Sequence, residues 1–190
     1  MTTPGRRERK KAQTRQALAD AALALFLDRG YDAVGVAEVA EAADVSVTTL
    51  FKHFPSKEAL VFDQDADLEA ALVAAVRERP AGVSIVTALR DHIVGHSKRG
   101  DPGLRPFLRM VEETPALREY QQRMWTRHET AVARAIAAET GAPDHDPDCA
   151  ALARFALSTP DLIARHRSPR QAAERIFAML DAGWAATHPD

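Results

Sequence analysis

Residues 36–54 read VAEVAEAADVSVTTLFKHF, and their pattern decides the fold. Two short segments with the helical period, 36–43 (VAEVAEAA) and 47–53 (VTTLFKH), flank a tight turn at Asp44-Val45-Ser46. Val36, Val39 and Ala40 share one face of the first segment, and Val45, Leu50 and Phe54 can complete a small core with them. That leaves Ser46, Val47, Thr48, Thr49, Phe51, Lys52 and His53 on the outer face of the second segment. Such a face is short, polar and positive, with one aromatic. It suits a recognition helix, whose first residues enter the major groove while hydroxyls and cations hold phosphates. Two short helices joined by a turn also occur in bundles that bind no nucleic acid.

Working outward, Leu18, Ala21, Ala22, Leu25 and Phe26 repeat at the spacing of one buried helix face, and Gly30 after Arg29 is a C-terminal stop. A first helix from about Arg9 to Arg29 follows, with residues 1–8 as a basic, flexible arm. Proline and glycine divide the remainder into helix-sized pieces: a long one from Ser56 to Arg79, another from Val83 to about Ser97, and a short one near Phe107–Glu113. Three later starts pair a capping side chain with proline at the first helical position: Thr114-Pro115, Asp146-Pro147 and Ser168-Pro169. They open helices of roughly 116–140, 148–165 and 170–186, and Pro160 should kink or split the second. No strand, repeat or low-complexity tract is legible. The expected architecture is all-α, with about nine helices divided near residue 55.

Net charge is −2, which by itself argues against a general polyanion binder. Its distribution points the other way. Residues 1–15 carry Arg6, Arg7, Arg9, Lys10, Lys11 and Arg15 against Glu8, whereas residues 61–190 hold sixteen basic and nineteen acidic side chains. A basic end on an acidic body is either a solvated tail or a contact with a polyanion at one end only.

The string VAEVAEAADVSVTTLFKHFPSKEAL, preceded by a basic helix ending in RGYDAV, closely resembles the tetracycline-repressor (TetR) family of bacterial regulators. The likeness covers about residues 9–65, and TLFKHFPSKEAL is its most specific piece. The resemblance implies a helix-turn-helix DNA-binding domain at 9–55 and a ligand-sensing and dimerisation domain at 56–190. It further implies that Val47, Thr48 and Thr49 lie at base edges and nearby phosphates. Phe51 and His53 would then rest on the DNA backbone, and Lys57 would resemble the family's phosphate-holding lysine. A helix start and an ammonium both favour an anion there. Three positions depart from the family pattern. Phe51 stands where tyrosine is usual and lacks its hydroxyl; Gly35 replaces a common capping threonine; Asp44 replaces a turn glycine, though Asp tolerates a left-handed backbone.

Past residue 65 no motif is legible from spacing. The family implies an effector pocket inside the second domain and a dimer through its last two long helices. Ala173, Ile176, Phe177, Leu180 and Trp184 form a stripe that could be the seam, with Leu152, Ala153, Ala156 and Leu157 as its partner surface; the same stripes could pack within one chain. His92 and His96 stand at i, i+4 and continue the stripe of Ile85 and Leu89. They could meet one metal, line a pocket or fill the core, and no further ligand set completes a metal site. Phe107, Met110, Met124, Trp125 and His128 could likewise line a ligand cavity or simply fill the core.

Catalysis is not expected, because Cys149 has no adjacent base and no glycine-rich phosphate loop is present. No apolar leader follows the N-terminal charges, and no apolar run approaches the roughly 20 residues of a membrane span. The expectation is a bacterial cytoplasmic regulator without cofactor or metal. It would be a homodimer on inverted-repeat operator DNA, released as a repressor by an unidentified small-molecule effector. The alternative is an activator or architectural protein without an effector.

Overall fold

The computed structural model describes residues 5–95, 104–164 and 166–188. Among them are ten α-helices and no strand: α1 Arg6–Arg29, α2 Val36–Ala42, α3 Val47–His53, α4 Lys57–Val61, α5 Asp65–Arg77, α6 Ile85–Gly95, α7 Leu104–Glu113, α8 Pro115–Thr140, α9 Pro147–Ile163 and α10 Pro169–Thr187. Two compact units result: Met1–Asp65 with Gly100–Gln122, and Ala66–Arg99 with Arg123–Asp190.

The first unit is built on α1, which buries Leu18, Ala22 and Phe26 along the face that the spacing predicts. Val39 and Ala40 of α2, Leu50 of α3, Phe54 and Leu60 complete the same interior, all nearly inaccessible. Each Leu or Phe so buried contributes about 1.5–3 kcal/mol relative to exposure, which is how helices of five and seven residues stay folded.

Helix α1 starts at Arg6 rather than near Arg9, so the expected arm ends sooner. The reason is local: the Gly5 N–H donates to Glu8 Oε2 at 3.0 Å and the Arg9 N–H to the Gly5 carbonyl at 3.0 Å, which closes the first turn.

The long helix expected over 56–79 is two helices, α4 and α5, with a turn between them. Two interactions draw the chain off the helical path. Phe62 stacks on Tyr120 (5.3 Å between ring centres, 10°) and meets Phe107 edge-on (6.2 Å, 80°). The Asp63 carbonyl, which a continuous helix would offer to the N–H four residues on, accepts from Arg15 Nη2 at 2.6 Å. Because α4 packs on α1, the first unit runs to Asp65, ten residues past the expected boundary at 55.

In the second unit Leu72, Val76, Leu89, Ile136, Ala153 and Phe177 form the centre of one apolar core drawn from α5, α6, α8, α9 and α10. The sequence expectations for α9 and α10 need two corrections. Pro160 lies inside α9 and does not split it; it comes three residues before the helix ends at Ile163, where little ladder remains to break. Ser168 precedes Pro169 but makes no side-chain cap, whereas Asp146 caps α9 by accepting from the N–H groups of Asp148 and Cys149, both at 3.0 Å.

The proposed seam residues also need correcting. Leu152, Ala153, Ala156, Leu157, Ala173 and Phe177 are buried within the single chain, Leu180 and Trp184 pack against that same core, and Ile176 is half-buried. The periodicity marked the inward faces of α9 and α10. The outward faces carry Phe155, Leu162 and Met179, more than half exposed.

Candidate nucleic-acid interface

The turn between α2 and α3 is fixed by backbone chemistry. Asp44 has φ 53°, the only non-glycine positive φ among the described residues, so Asp takes the left-handed position where the family commonly has glycine. The Val45 N–H returns to the Ala40 carbonyl at 2.9 Å and the Asp44 N–H to Glu41 at 3.0 Å. At Gly35 a side-chain cap is impossible. Glu38 compensates from below: its Oε1 accepts the Gly35 N–H at 2.9 Å and its Oε2 meets Arg29 Nη1 at 2.6 Å. Those two partners, Gly35 first, hold the Glu38 carboxyl below its ordinary range.

Ser46 caps α3. Its Oγ accepts the Thr49 N–H at 3.1 Å and shares a 2.9 Å hydrogen bond with the Thr49 hydroxyl. With Leu50 and Phe54 inside, the remaining side chains point out. Val47 is 38% and Phe51 48% exposed, Ser46, Thr48 and Lys52 are exposed, and Thr49 and His53 are half-buried. Five of the seven expected residues are thus exposed, two are half-buried and none is buried. Val47 and Phe51, four residues apart on this helix, set an apolar pair among polar and cationic side chains.

Arg6, Arg7, Arg9, Lys10 and Lys11 project from the exposed first turns of α1, in the same unit. Cations at a helix start oppose the positive end of the dipole, so they are poorly placed for stability and well placed for an external anion.

His53 closes the α3 surface. Burial, with the charges of Lys11 and Arg15 beside it, holds its imidazole below the ordinary value, and its Nδ1 is buried without a hydrogen-bond partner among the described residues.

The ammonium of Lys57 has a partner within the chain. Its Nζ donates to the Tyr31 carbonyl at 2.6 Å, and Tyr31 in turn donates its hydroxyl to Glu58 Oε1 at 3.0 Å. Desolvation comes first among the causes that place Lys57 below its ordinary pKa and Tyr31 above.

Sequence reasoning missed Arg15, Tyr31 and Glu58 as parts of this architecture. The signal for Arg15 was present: it stands three and seven residues ahead of the buried Leu18 and Ala22, on the inward stripe of α1 rather than among the outward cations.

The residues considered for an effector pocket fall in two groups. Phe107 and Met110 belong to the first unit, where Met110 lines a cleft of about 390 Å³ with Phe26, Tyr31 and Arg109. His92, Met124, Trp125 and His128 belong to the second unit; His96 lies outside the described residues. There Trp125 meets the fully buried His128 edge-on at 5.3 Å, and His128 Nε2 lies 3.9 Å from Glu69 Oε2.

Asp146, Asp148 and His188 bring one donor atom each to within 4.8 Å of one another. The cap on α9 already accounts for Asp146, so this cluster needs no ion to explain it. Cys149 is buried, and desolvation first, then its bond to Asp146, pushes its thiol up to about 11, far from a nucleophilic thiolate. No helix among the described residues is long and apolar enough to cross a membrane.

Comparison with known proteins agrees with this geometry. Residues 18–63 match the family described as "Bacterial regulatory proteins, tetR family", and residues 79–185 match the "MftR C-terminal domain". The HTH-type transcriptional regulator TcmR of Streptomyces glaucescens is 36% identical over 154 residues, spanning 76% of this chain and 68% of that protein. Among solved structures, Salmonella enterica GusR superposes with TM-score 0.58 at 22% identity, covering 94% of this chain and 96% of that one. NalD of Pseudomonas aeruginosa, described as the secondary repressor of the MexAB-OprM multidrug efflux pump, gives 0.59 at 20%, covering 92% and 96%. These two likenesses concern the fold; the family rests on the sequence matches. The relatives are regulators of transcription and not enzymes, and the chain belongs to the TetR family of bacterial transcriptional regulators.

Proposed function

We propose that this regulator is a repressor that binds an inverted-repeat operator as a homodimer and leaves it when a small molecule occupies its second unit. The observation that carries the DNA reading is the exposed part of α3, where Val47 and Phe51 stand among Ser46, Thr48 and Lys52 on a capped helix. On this reading Val47, Thr48 and Thr49 meet base edges, and Phe51, Lys52 and His53 lie along the backbone. Ser46 holds the helix start and its hydroxyl faces the groove. Lys57 contributes through ammonium donors other than the one given to the Tyr31 carbonyl, and the α1 cations add contacts without sequence preference.

The homodimer reading moves to the outer faces of α9 and α10, where Phe155, Leu162 and Met179 are 55%, 65% and 66% exposed. Large apolar side chains left exposed on two helices that pack on each other fit an interaction surface, and two-fold operators call for a two-fold protein. The effector reading is supported by the size of the second unit, beyond what groove contact needs. Its fully buried His128 beside Trp125, Met124 and Glu69 supplies a polar group inside an apolar setting. The repressor reading is supported by KstR of Rhodococcus jostii, an HTH-type transcriptional repressor 51% identical over 45 residues.

The test is fluorescence anisotropy on duplexes that the purified protein selects from a random library. Recovery of an inverted repeat, and its release by compounds that quench Trp125 emission in a Trp184→Phe background, are the expected results. Selection of no preferred sequence would overturn the reading.

A further inference from the structure

Arg15 is unlike the other cations of the N-terminal run. Its guanidinium points inward, donating through Nη1 to the His53 carbonyl at 2.8 Å and through Nη2 to the Asp63 carbonyl at 2.6 Å. Its central carbon lies 4.2 Å from the centre of the Phe54 ring. His53 is the last residue of α3, and Asp63 lies in the turn between α4 and α5. Helix ends leave carbonyls without partners in the helix, so one side chain satisfies an acceptor at each of two ends ten residues apart in sequence. The planar fork of a guanidinium can serve two separated acceptors while its face covers a ring; a lysine ammonium is a single point of attachment.

We propose that Arg15 is a positioning residue for sequence reading: it fixes the C-terminal end of the recognition helix against α1 and the turn after α4, without itself touching DNA. This rests on the reading of α3 given above. The helix is seven residues long, capped by Ser46 at one end and held by Arg15 at the other. Its core contacts, Leu50 and Phe54, set its depth, but a helix this short can still pivot about them. Discrimination between base pairs depends on placing side chains within tenths of an ångström of base edges, whereas phosphate contacts by flexible lysines tolerate such a pivot. Loss of the clamp therefore removes preference before it removes binding.

The competing role, a phosphate contact like those of its neighbours, makes opposite demands. Two variants separate them, measured by anisotropy on duplexes selected by the wild-type protein and on a scrambled duplex of the same composition, each over a salt series. Arg15→Lys keeps the charge and loses the fork. Positioning demands that the ratio of selected to scrambled affinity fall by roughly tenfold or more, with affinity for scrambled DNA unchanged. A phosphate contact would leave Arg15→Lys close to wild type. Arg15→Gln removes the charge: positioning demands an unchanged slope of log affinity against log salt, while a phosphate contact would flatten it by about 0.9 per copy. A role in stability alone lowers the active fraction equally on both duplexes and leaves the ratio intact, which would overturn the proposal. If Arg15→Gln melts below the assay temperature, Arg15→Lys decides, and a wild-type ratio for it is the contrary result. A wild-type protein that selects no sequence at all would sink the recognition-helix reading, and this proposal with it.

Discussion

The ammonium of Lys57 donates to the backbone oxygen of Tyr31 at 2.6 Å and stands 4.0 Å from the centre of that residue's ring. This single placement binds the start of α4 to the loop that follows α1, while the end of α4 is tied through the Asp63 carbonyl to Arg15. A five-residue helix cannot hold its own orientation; it is oriented here by a cation at each end.

Lys57→Ala is therefore expected to have two effects. Removing a partly buried, charged hydrogen bond should lower stability by about 1–2 kcal/mol, read from a denaturant or thermal melt. On the proposed phosphate contact by its other ammonium donors, the salt slope on operator DNA should flatten by roughly 0.9 per copy, about 2 in a dimer. A lowered melting temperature with the full slope would leave Lys57 as an internal anchor and remove it from the DNA contacts.

His53 should give pH effects of opposite sign in the free and DNA-bound protein. Its folded pKa lies below the ordinary value of about 6.5, chiefly through burial, so between the two values the unfolded chain binds more protons. The stability it contributes is complete above about pH 6.5 and is lost as pH falls through the lowered folded value. Phosphates beside the ring would raise its pKa again, so operator binding takes up protons and tightens from pH 7 towards 6. His53→Gln should flatten both dependences. An affinity with the same pH profile in wild type and variant would take His53 off the backbone contacts.

Much of this arrangement is legible in the sequence, and the omissions have physical causes. The period of Leu18, Ala22 and Phe26 and the turn at Asp44 follow from local rules, because each is decided within a few residues. The break between α4 and α5 is not local. It depends on Arg15, 48 residues before Asp63, and on the stacking of Phe62 against Tyr120, and the only local hint is the run of Asp63, Asp65 and Asp67, poor residues inside a helix and good ones at its start. The seam expectation fell on stripes that pack within the chain for a different reason. Periodicity finds an apolar stripe but not its partner: Ala153 and Phe177 are buried within the chain, while Phe155 and Met179 stand exposed on the same two helices.

That distinction yields a paired prediction. Phe155→Glu combined with Met179→Glu places charges on the outer faces and should convert the protein to a monomer in size-exclusion chromatography or light scattering, with its helical signal retained. Phe177→Ala, on the inner face, should instead cost about 3–5 kcal/mol of stability. An undisturbed dimer in the outer-face double variant would mean that the chains associate elsewhere.

The most direct test of sequence reading by α3 uses Val47 and Thr49. Wild type, Val47→Ala and Thr49→Ala should each be allowed to select duplexes from one random library, and each selected sequence should then be measured against all three proteins. The expected wild-type product is an inverted repeat with half-site centres about 34–36 Å, one turn of B-DNA, apart. Each variant should change the preferred base at symmetric positions in both half-sites, with a cost to the wild-type sequence of roughly 1–3 kcal/mol per lost contact. Identical selected sequences from all three proteins, with affinity lowered equally on every duplex, would contradict it.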